Sequence, residues 1–398
     1  MFWPLINEGT DLDLKRQIDD IEKYVDNNRD KMVQMWKEFV SIETGSNDKA
    51  GIDQLADRIK EILDYEGFTT EVRCFDNSGN SIFATKKGAS HKKPICLIGH
   101  MDTVFSKGTL EKNPFRIEEG KVFGPGVLDM KGGIVAAIFA LRALNTIGYN
   151  EREIKVVFSG DEEVGHKYSE THDDIMEFSR GSEAAFNMET GAMNGGFLTG
   201  RKGSVVFKIE SYGKAVHSGI DHKNGISAIL EIAHKTIEIE KLTNYKKGIT
   251  FNVGVIQGGE RSNIRPDYAT IEVDCRFTKL DHLEGIISAV KEINEKSYIN
   301  GTKSTFTHRL GFYPMEETDG SIKLINTVAD TCRMLGLKEP RANYSGGSSD
   351  SSNSVRAGVP TLCGFGVKGE FNHTLEEYAL LESLFERSKL LATTITIL

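Results

Sequence analysis

Five side chains in this 398-residue chain combine the donor types that hold divalent metals: His100, Asp129, Glu163, Glu189 and His373. Two imidazoles and three carboxylates offer nitrogen and oxygen donors, which suit zinc, cobalt or manganese better than a thiolate cluster would. Five protein ligands are more than one catalytic zinc uses. If one carboxylate is shared, two ions each receive three ligands, with room for a water between ions about 3.5–4 Å apart. His100 closely follows the apolar run 94–98, and Asp102 stands two residues further on. Residues two apart in an extended chain point the same way, so Asp102 is placed to hold the second nitrogen of the imidazole. The adjacent acids Glu162 and Glu163 allow one carboxylate to bind metal while its neighbour stays available as a base.

Each piece also has a plainer reading. His100-Met-Asp102 suits a turn after a strand, Asp129 before Met-Lys-Gly-Gly suits a helix cap, and Asp161-Glu-Glu163 suits a solvated acidic turn. His373 reads equally as a surface histidine ahead of a helix. The conjunction of all five in order favours the metal reading.

The elements that must position these groups alternate. Helical spacing runs through 12–45 and from about 52 to 65, followed by short extended segments at 69–75 and 81–85. Apolar strands at 94–98, 153–159 and 183–188 each lead into His or acid, and a buried helix follows Gly133. This predicts an α/β fold whose mixed, open sheet carries its site at the carboxyl ends of the strands. From about 198 the pattern changes to strict alternation, with Val205, Phe207 and Ile209, then Ile271, Val273 and Cys275, set among polar residues. The order strand, helix, strand, strand, helix, strand predicts a ferredoxin-like α+β unit over 198–312, inserted into a catalytic α/β domain made of 1–197 and 313–398.

Composition narrows the class. Hydrophobic residues at 39% and charged residues at 27% give an ordinary globular balance, which argues against global disorder. A net charge of −9 speaks against a nucleic-acid surface. Five scattered cysteines without a CxxC pair suggest reduced thiols. Residues 1–11 lack a basic region and a long apolar core, and no apolar run reaches the roughly 18–20 residues of a membrane span, so a cytoplasmic protein with no membrane partner is expected.

Five segments taken together carry a resemblance: Gly99-His-Met-Asp-Thr-Val104, Gly124-Pro-Gly-Val-Leu-Asp-Met-Lys-Gly-Gly133, Gly160-Asp-Glu-Glu-Val-Gly165, Met188-Glu-Thr190 and Asn372-His-Thr374. They resemble the signature of the M20 metallopeptidase family, which includes glutamate carboxypeptidase, succinyl-diaminopimelate desuccinylase, acetylornithine deacetylase and aminoacylase. The resemblance implies two Zn2+ per subunit, replaceable by Co2+ or Mn2+. It assigns His100 and Glu189 to one ion, Glu163 and His373 to the other, and Asp129 to both; Asp102 orients His100 and Glu162 is the general base. It makes the inserted unit a lid and dimerisation domain in a homodimer, with His217 stabilising the oxyanion in a neighbouring subunit's site. Asn263 and Arg276 match positions that bind the substrate carboxylate, and the segment containing Gly346 and Gly347 lines the cleft with backbone donors.

Two departures stand out: Thr190 replaces a usual proline, and Asn263-Ile-Arg-Pro266 replaces a more usual Asn-Val-Ile-Pro, adding the charge of Arg265. The expected function is a dizinc exopeptidase of carboxypeptidase type, like glutamate carboxypeptidase, acting on small peptides or acyl-amino acids. Glu189, where aminopeptidase members tend to carry Asp, favours that side. The alternative is an N-acyl-amino-acid deacylase of the acetylornithine or desuccinylase type, and a remote one is a metal-free peptide or metabolite binder.

Overall fold

The computed structural model describes residues 8–398; the reading of 1–11 as lacking an export signal rests in part on 1–7, outside them. The chain divides into two compact units. One takes the chain up to Thr199 together with Glu317–Tyr344 and Asn353–Leu398; the other takes Gly200–Glu316 and Ser345–Ser352.

The first unit is built on an eight-stranded mixed sheet. Its strands lie in the order Thr69–Arg73, Ser81–Lys86, Arg152–Ser159, Lys92–His100, Ala184–Asn187, Thr361–Cys363, Phe197–Arg201 and Ala342–Ser345. Lys92–His100 runs parallel to both neighbours, with His100 opposite Ser159 and Ile98 opposite Asn187. The loops that follow these three strands therefore leave the sheet at one edge, where the loop ends of an open parallel sheet place a site.

Both faces of the sheet are covered, which is why these strands read as continuous apolar runs. Ile95, Leu97, Val156 and Phe186 pack into the main core, while Cys96, Ile98, Val157 and Ala185 face a smaller cluster with Phe83 and Ile175. The helix Gly132–Thr146 is buried on nearly every side, from Gly132 to Leu141 and again at Ala143 and Leu144. A helix apolar all round belongs inside, and each large side chain buried there contributes about 1.5–3 kcal/mol. Its first turn touches the site's scaffold: a Cβ on Gly133 would lie 1.9 Å from the Met188 carbonyl, one residue before Glu189. Gly133→Ala would force helix and strand apart at a cost of about 1–3 kcal/mol.

A second, four-stranded antiparallel sheet in this unit (Gly369–Glu370, Tyr378–Leu380, Lys121–Phe123, Arg116–Glu118) is missing from the sequence reading, because strands of two or three residues carry no period. His373 lies in the turn between its first two strands, with its backbone in the left-handed region at φ 65°.

The second unit has the sheet order Thr250–Gly258, Tyr268–Phe277, Gly203–Tyr212, Lys303–Phe312, all pairs antiparallel. Helices Ala228–Glu240 and Leu283–Glu295 supply Ile232, Ile239, Ile286 and Val290 to a core with Val205, Phe207, Ile271 and Val273. This is the ferredoxin-like arrangement that period-2 strands and two amphipathic helices dictate. The glycine-rich segment, which the sequence reading leaves in the catalytic part, groups with this unit. Arg201 Nε donates to the Gly347 carbonyl at 2.9 Å, and Ser348 Oγ donates to that of Lys202 at 2.8 Å.

Candidate metal centre

In the first unit, the sheet edge and the two turns beside it bring the five donors together. His100 ends its strand, Asp129 sits in the turn Val127–Lys131, Glu163 lies in the short turn Glu162–Val164, Glu189 follows Ala184–Asn187, and His373 comes from the small sheet. Their ligand atoms form two groups, His100 with Asp129 and Glu189, and Asp129 with Glu163 and His373, each within 4.8 Å. Asp129 belongs to both. Its Oδ1 lies 3.2 Å from His100 Nε2, and its Oδ2 lies 3.3 Å from His373 Nε2. His100 Nε2 is 3.7 Å from Glu189 and His373 Nε2 is 3.3 Å from Glu163.

These residues fit a pair of metal ions. Donors at about 2.0–2.2 Å from a tetrahedral ion stand roughly 3.3–3.6 Å from one another, close to the separations found. Glu163 Oε1 is moreover buried without a hydrogen-bond partner, a costly state that a cation relieves.

The electrostatics say the same. Burial by itself lowers the His100 pKa, but Glu162, Asp102, Asp129 and Glu189 outweigh it and hold the imidazole well above its ordinary value. Hydrogen bonds with Asp129 and Glu163 push His373 up to about 11. Burial, then the neighbouring Asp129 charge, pushes Glu163 up to about 7, while contacts with both histidines overcome burial to keep Asp129 well below the carboxylate range. The pocket demands positive charge at its centre.

Asp102 lies in neither donor group and is fully buried behind them. His100 Nδ1 is 3.0 Å from the Asp102 backbone carbonyl and 3.4 Å from its carboxylate. Those carboxylate oxygens accept from the backbone N–H groups of Glu162 (3.0 Å) and Glu163 (3.1 Å) and from Ser46 Oγ (2.7 Å). Glu162 is itself buried at the start of its turn.

Three supporting residues escape sequence reasoning. Asn372 Nδ2 donates to Asp129 Oδ2 at 2.8 Å and to Thr190 Oγ1 at 2.7 Å. Glu377, fully buried, accepts at Oε1 from Leu128 N–H (2.9 Å) and Asp129 N–H (3.4 Å), and burial pushes its carboxyl up to about 8. The signals available were weak: Asn372 adjoins a candidate ligand, and Glu377 lies in an acidic pair four residues past it.

The remaining candidates belong to the second unit. His217 is exposed, and its Nδ1 accepts from the N–H groups of Gly219 (3.2 Å) and Ile220 (3.3 Å), which leaves the ring proton on Nε2. Asn263 is brought beside it, because the Ser218 N–H donates to the Asn263 carbonyl at 2.9 Å. Arg276 donates from Nε to Asp274 at 2.8 Å and from Nη1 to Ser348 Oγ at 3.0 Å, so it lies against the segment of Gly346 and Gly347.

A mixed sheet with two donor groups sharing one carboxylate at its edge defines a dinuclear metallohydrolase. Comparison with known proteins carries this further. Residues 96–397 match the model of peptidase family M20/M25/M40, and the chain belongs to that family of metallopeptidases, whose members bind two metal ions. It is 26% identical over 347 residues to carboxypeptidase G2 of Pseudomonas sp. (strain RS-16), covering 86% of this chain and 83% of that protein. It is 27% identical over 372 residues to succinyl-diaminopimelate desuccinylase of Rickettsia bellii (strain RML369-C), covering 87% and 90%. Its fold is similar to that of a tripeptidase from Staphylococcus aureus, with TM-score 0.77, 20% identity, and coverage of 93% of this chain and 98% of that one. Among the described residues no helix is long and apolar enough to cross a membrane.

Proposed function

We propose that this protein is an exo-acting amidohydrolase of carboxypeptidase type that uses two zinc ions and releases an amino acid from small peptides or acyl-amino acids. The observation that carries this reading is the shared carboxylate: Asp129 turns one oxygen to each histidine. His100 and Glu189 would hold one ion and Glu163 and His373 the other, with Asp129 shared; such a pair would supply the positive charge that polarises a carbonyl and acidifies a water.

The chain's own residues do the rest. The Glu162 carboxylate accepts the proton of the attacking water and returns it to the leaving amine. Asp102 fixes the orientation of His100 and the backbone from which Glu162 projects. The Nε2–H of His217 donates to the developing oxyanion in a neighbouring subunit's site. Arg276, with Asn263 and the backbone of Gly346 and Gly347, receives the carboxylate of the leaving amino acid; a planar guanidinium is the shape that pairs two carboxylate oxygens at once.

The likeness to a desuccinylase supports a second reading, an N-acyl-amino-acid deacylase that uses the same residues. A hydrolysis screen separates the two: folyl-glutamate-type substrates, dipeptides, and N-acetyl and N-succinyl amino acids, with zinc or cobalt added. Faster turnover of peptides and folyl-glutamates supports the carboxypeptidase reading; preference for small acyl groups supports the deacylase. Less than one zinc per chain with no chelator-sensitive hydrolysis identifies a binder instead.

The second unit, 198–312 in the sequence reading, is the lid and dimerisation domain. Its edge strand Thr250–Gly258 exposes Val255 and Ile256, and its helix Ala228–Glu240 exposes Ile229, Leu230 and Ile237. An apolar sheet edge is a surface that a second copy covers. Light scattering is expected to return twice the chain mass of 44.1 kDa. An exposed free thiol at Cys74 suits a reducing compartment, which supports the cytoplasm.

A further inference from the structure

A cleft of about 410 Å³ opens beside Glu163 in the first unit. Its floor is the junction of two loops: Gly45 bridges to Thr103, the Ser46 N–H donates to the Thr103 carbonyl at 3.0 Å, and the Thr103 N–H donates to that of Thr44 at 2.8 Å. The loops touch so closely that a Cβ on Gly45 would lie 2.2 Å from the Phe105 carbonyl. The floor is therefore built into the scaffold.

The chemistry of the walls is selective. Val104, Phe105 and Val164 are apolar; Ser46, Asn47 and Ser106 are neutral hydrogen-bonding groups. Among the described residues that line the cleft, the one base is Lys107, and its Nζ lies 3.1 Å from Asp48. The acids are Asp48 and Glu163. A group that enters finds no unopposed cation, so the carboxylate of a leaving amino acid has no partner there. An uncharged, partly apolar group does, with neutral donors and acceptors at hand.

We propose that this cleft is the acyl-side subsite. It receives the substituent on the carbonyl side of the scissile bond and selects uncharged acyl groups up to aromatic size over anionic ones such as succinyl. The proposal rests on the hydrolytic reading of the metal centre. Glu163 belongs both to that centre and to the cleft wall, so the cleft directly adjoins the place where the scissile carbonyl would be held. Size agrees: a cavity of about 150 Å³ admits a benzene ring, so this cleft has room for a benzoyl group and more.

The test uses the zinc-loaded enzyme and N-acetyl, N-benzoyl and N-succinyl derivatives of one amino acid, so that the leaving group is constant. In the unaltered enzyme the kcat/KM for benzoyl is expected to exceed that for succinyl at least fivefold. Ser106→Trp, which fills the cleft from its rim, is expected to lower the benzoyl-to-acetyl ratio of kcat/KM at least fivefold. Val104→Lys, which adds an unopposed cation, is expected to raise the succinyl-to-benzoyl ratio by the same factor. Asn47→Trp fills the cleft from another loop and replaces Ser106→Trp if that variant fails to fold, as judged by its melting temperature. Succinyl preferred by the unaltered enzyme, or ratios that move less than fivefold in the variants, overturns the subsite while leaving the hydrolase. No hydrolysis of any acyl-amino acid or peptide overturns both.

Discussion

The backbone N–H of Glu162 donates to the Asp102 carboxylate at 3.0 Å, joining segments 60 residues apart in sequence. Asp102 thereby serves two parts of the proposed centre at once: it backs the imidazole of His100 and sets the turn that carries the proposed base. The Glu163 N–H bond to the other oxygen extends the same control to a proposed ligand of the second ion.

Asp102→Asn tests that double role. The amide keeps one accepting oxygen but turns an NH2 group toward a backbone N–H, donor against donor. Metal affinity is expected to fall about 10–100-fold, as for other groups that support a ligand from behind. Titration against a chromophoric chelator reads this directly, and an unchanged affinity would show that the carboxylate is dispensable.

Glu162→Gln keeps the size and polarity of the side chain but removes its basicity. The kcat is expected to drop by about 10²–10⁴-fold while two metal ions per chain are retained. Turnover within tenfold of the unaltered enzyme would assign proton transfer to another group.

Asn372 donates to Asp129 and is itself held by Thr190, whose Oγ1 accepts from the same amide nitrogen; Thr190 stands where the family usually has proline. Asn372→Ala removes one donor from the shared carboxylate and is expected to weaken metal binding about tenfold or more. Thr190→Val is expected to have a smaller effect, and the double variant to cost less than the sum, since the two act through one hydrogen bond. Strict additivity in metal affinity would separate them.

Removing the metals leaves Asp129, Glu163 and Glu189 together in a buried pocket, two of them on each histidine. Exhaustive chelation is expected to abolish hydrolysis and lower the melting temperature, and zinc or cobalt to restore both. At free metal 100-fold above Kd, binding adds about 2.7 kcal/mol to the folded state. A melting curve indifferent to chelator would mean that the five donors hold no ion.

The thiols give a test of the fold that is independent of activity. Burial pushes Cys96 and Cys275 up to about 12 and Cys332 up to about 11, so each stays protonated and shielded at pH 8. Cys363 is buried and Cys74 is exposed. A thiol reagent at pH 8 is expected to label one cysteine rapidly in the native protein and all five in denaturant. Raising the pH to 9 leaves Cys96, Cys275 and Cys332 well below their titration range, and rapid native labelling of Cys96 would contradict the central strand position.

Much of the scaffold was legible in the sequence because its signals are local. Apolar runs ending in His100 or leading to Glu163 and Glu189 marked strands covered on both faces, and the alternation of Val205, Phe207 and Ile209 marked a sheet covered on one. The types of the donors pointed to a divalent metal bound by nitrogen and oxygen. What no period encodes is a contact between distant segments. Asn372 meets Asp129 across 243 residues, Glu377 meets Leu128 across 249, and Arg276 meets Ser348 across 72. Each joins a side chain in a loop or at a strand end to a partner chosen by how the sheets pack.

The opening His100 and Asp102 pair shows the division most clearly. The sequence set an imidazole at the end of an apolar run and a carboxylate two residues on, and alternation along an extended chain predicted that both point the same way. Only the tertiary structure decided how that carboxylate is used, by bringing two buried N–H groups of the Glu162 turn within 3.1 Å of it. An anion accepting two such donors is worth more in the interior than one facing water, and the donors reach it only when the parallel strands Lys92–His100 and Arg152–Ser159 end side by side.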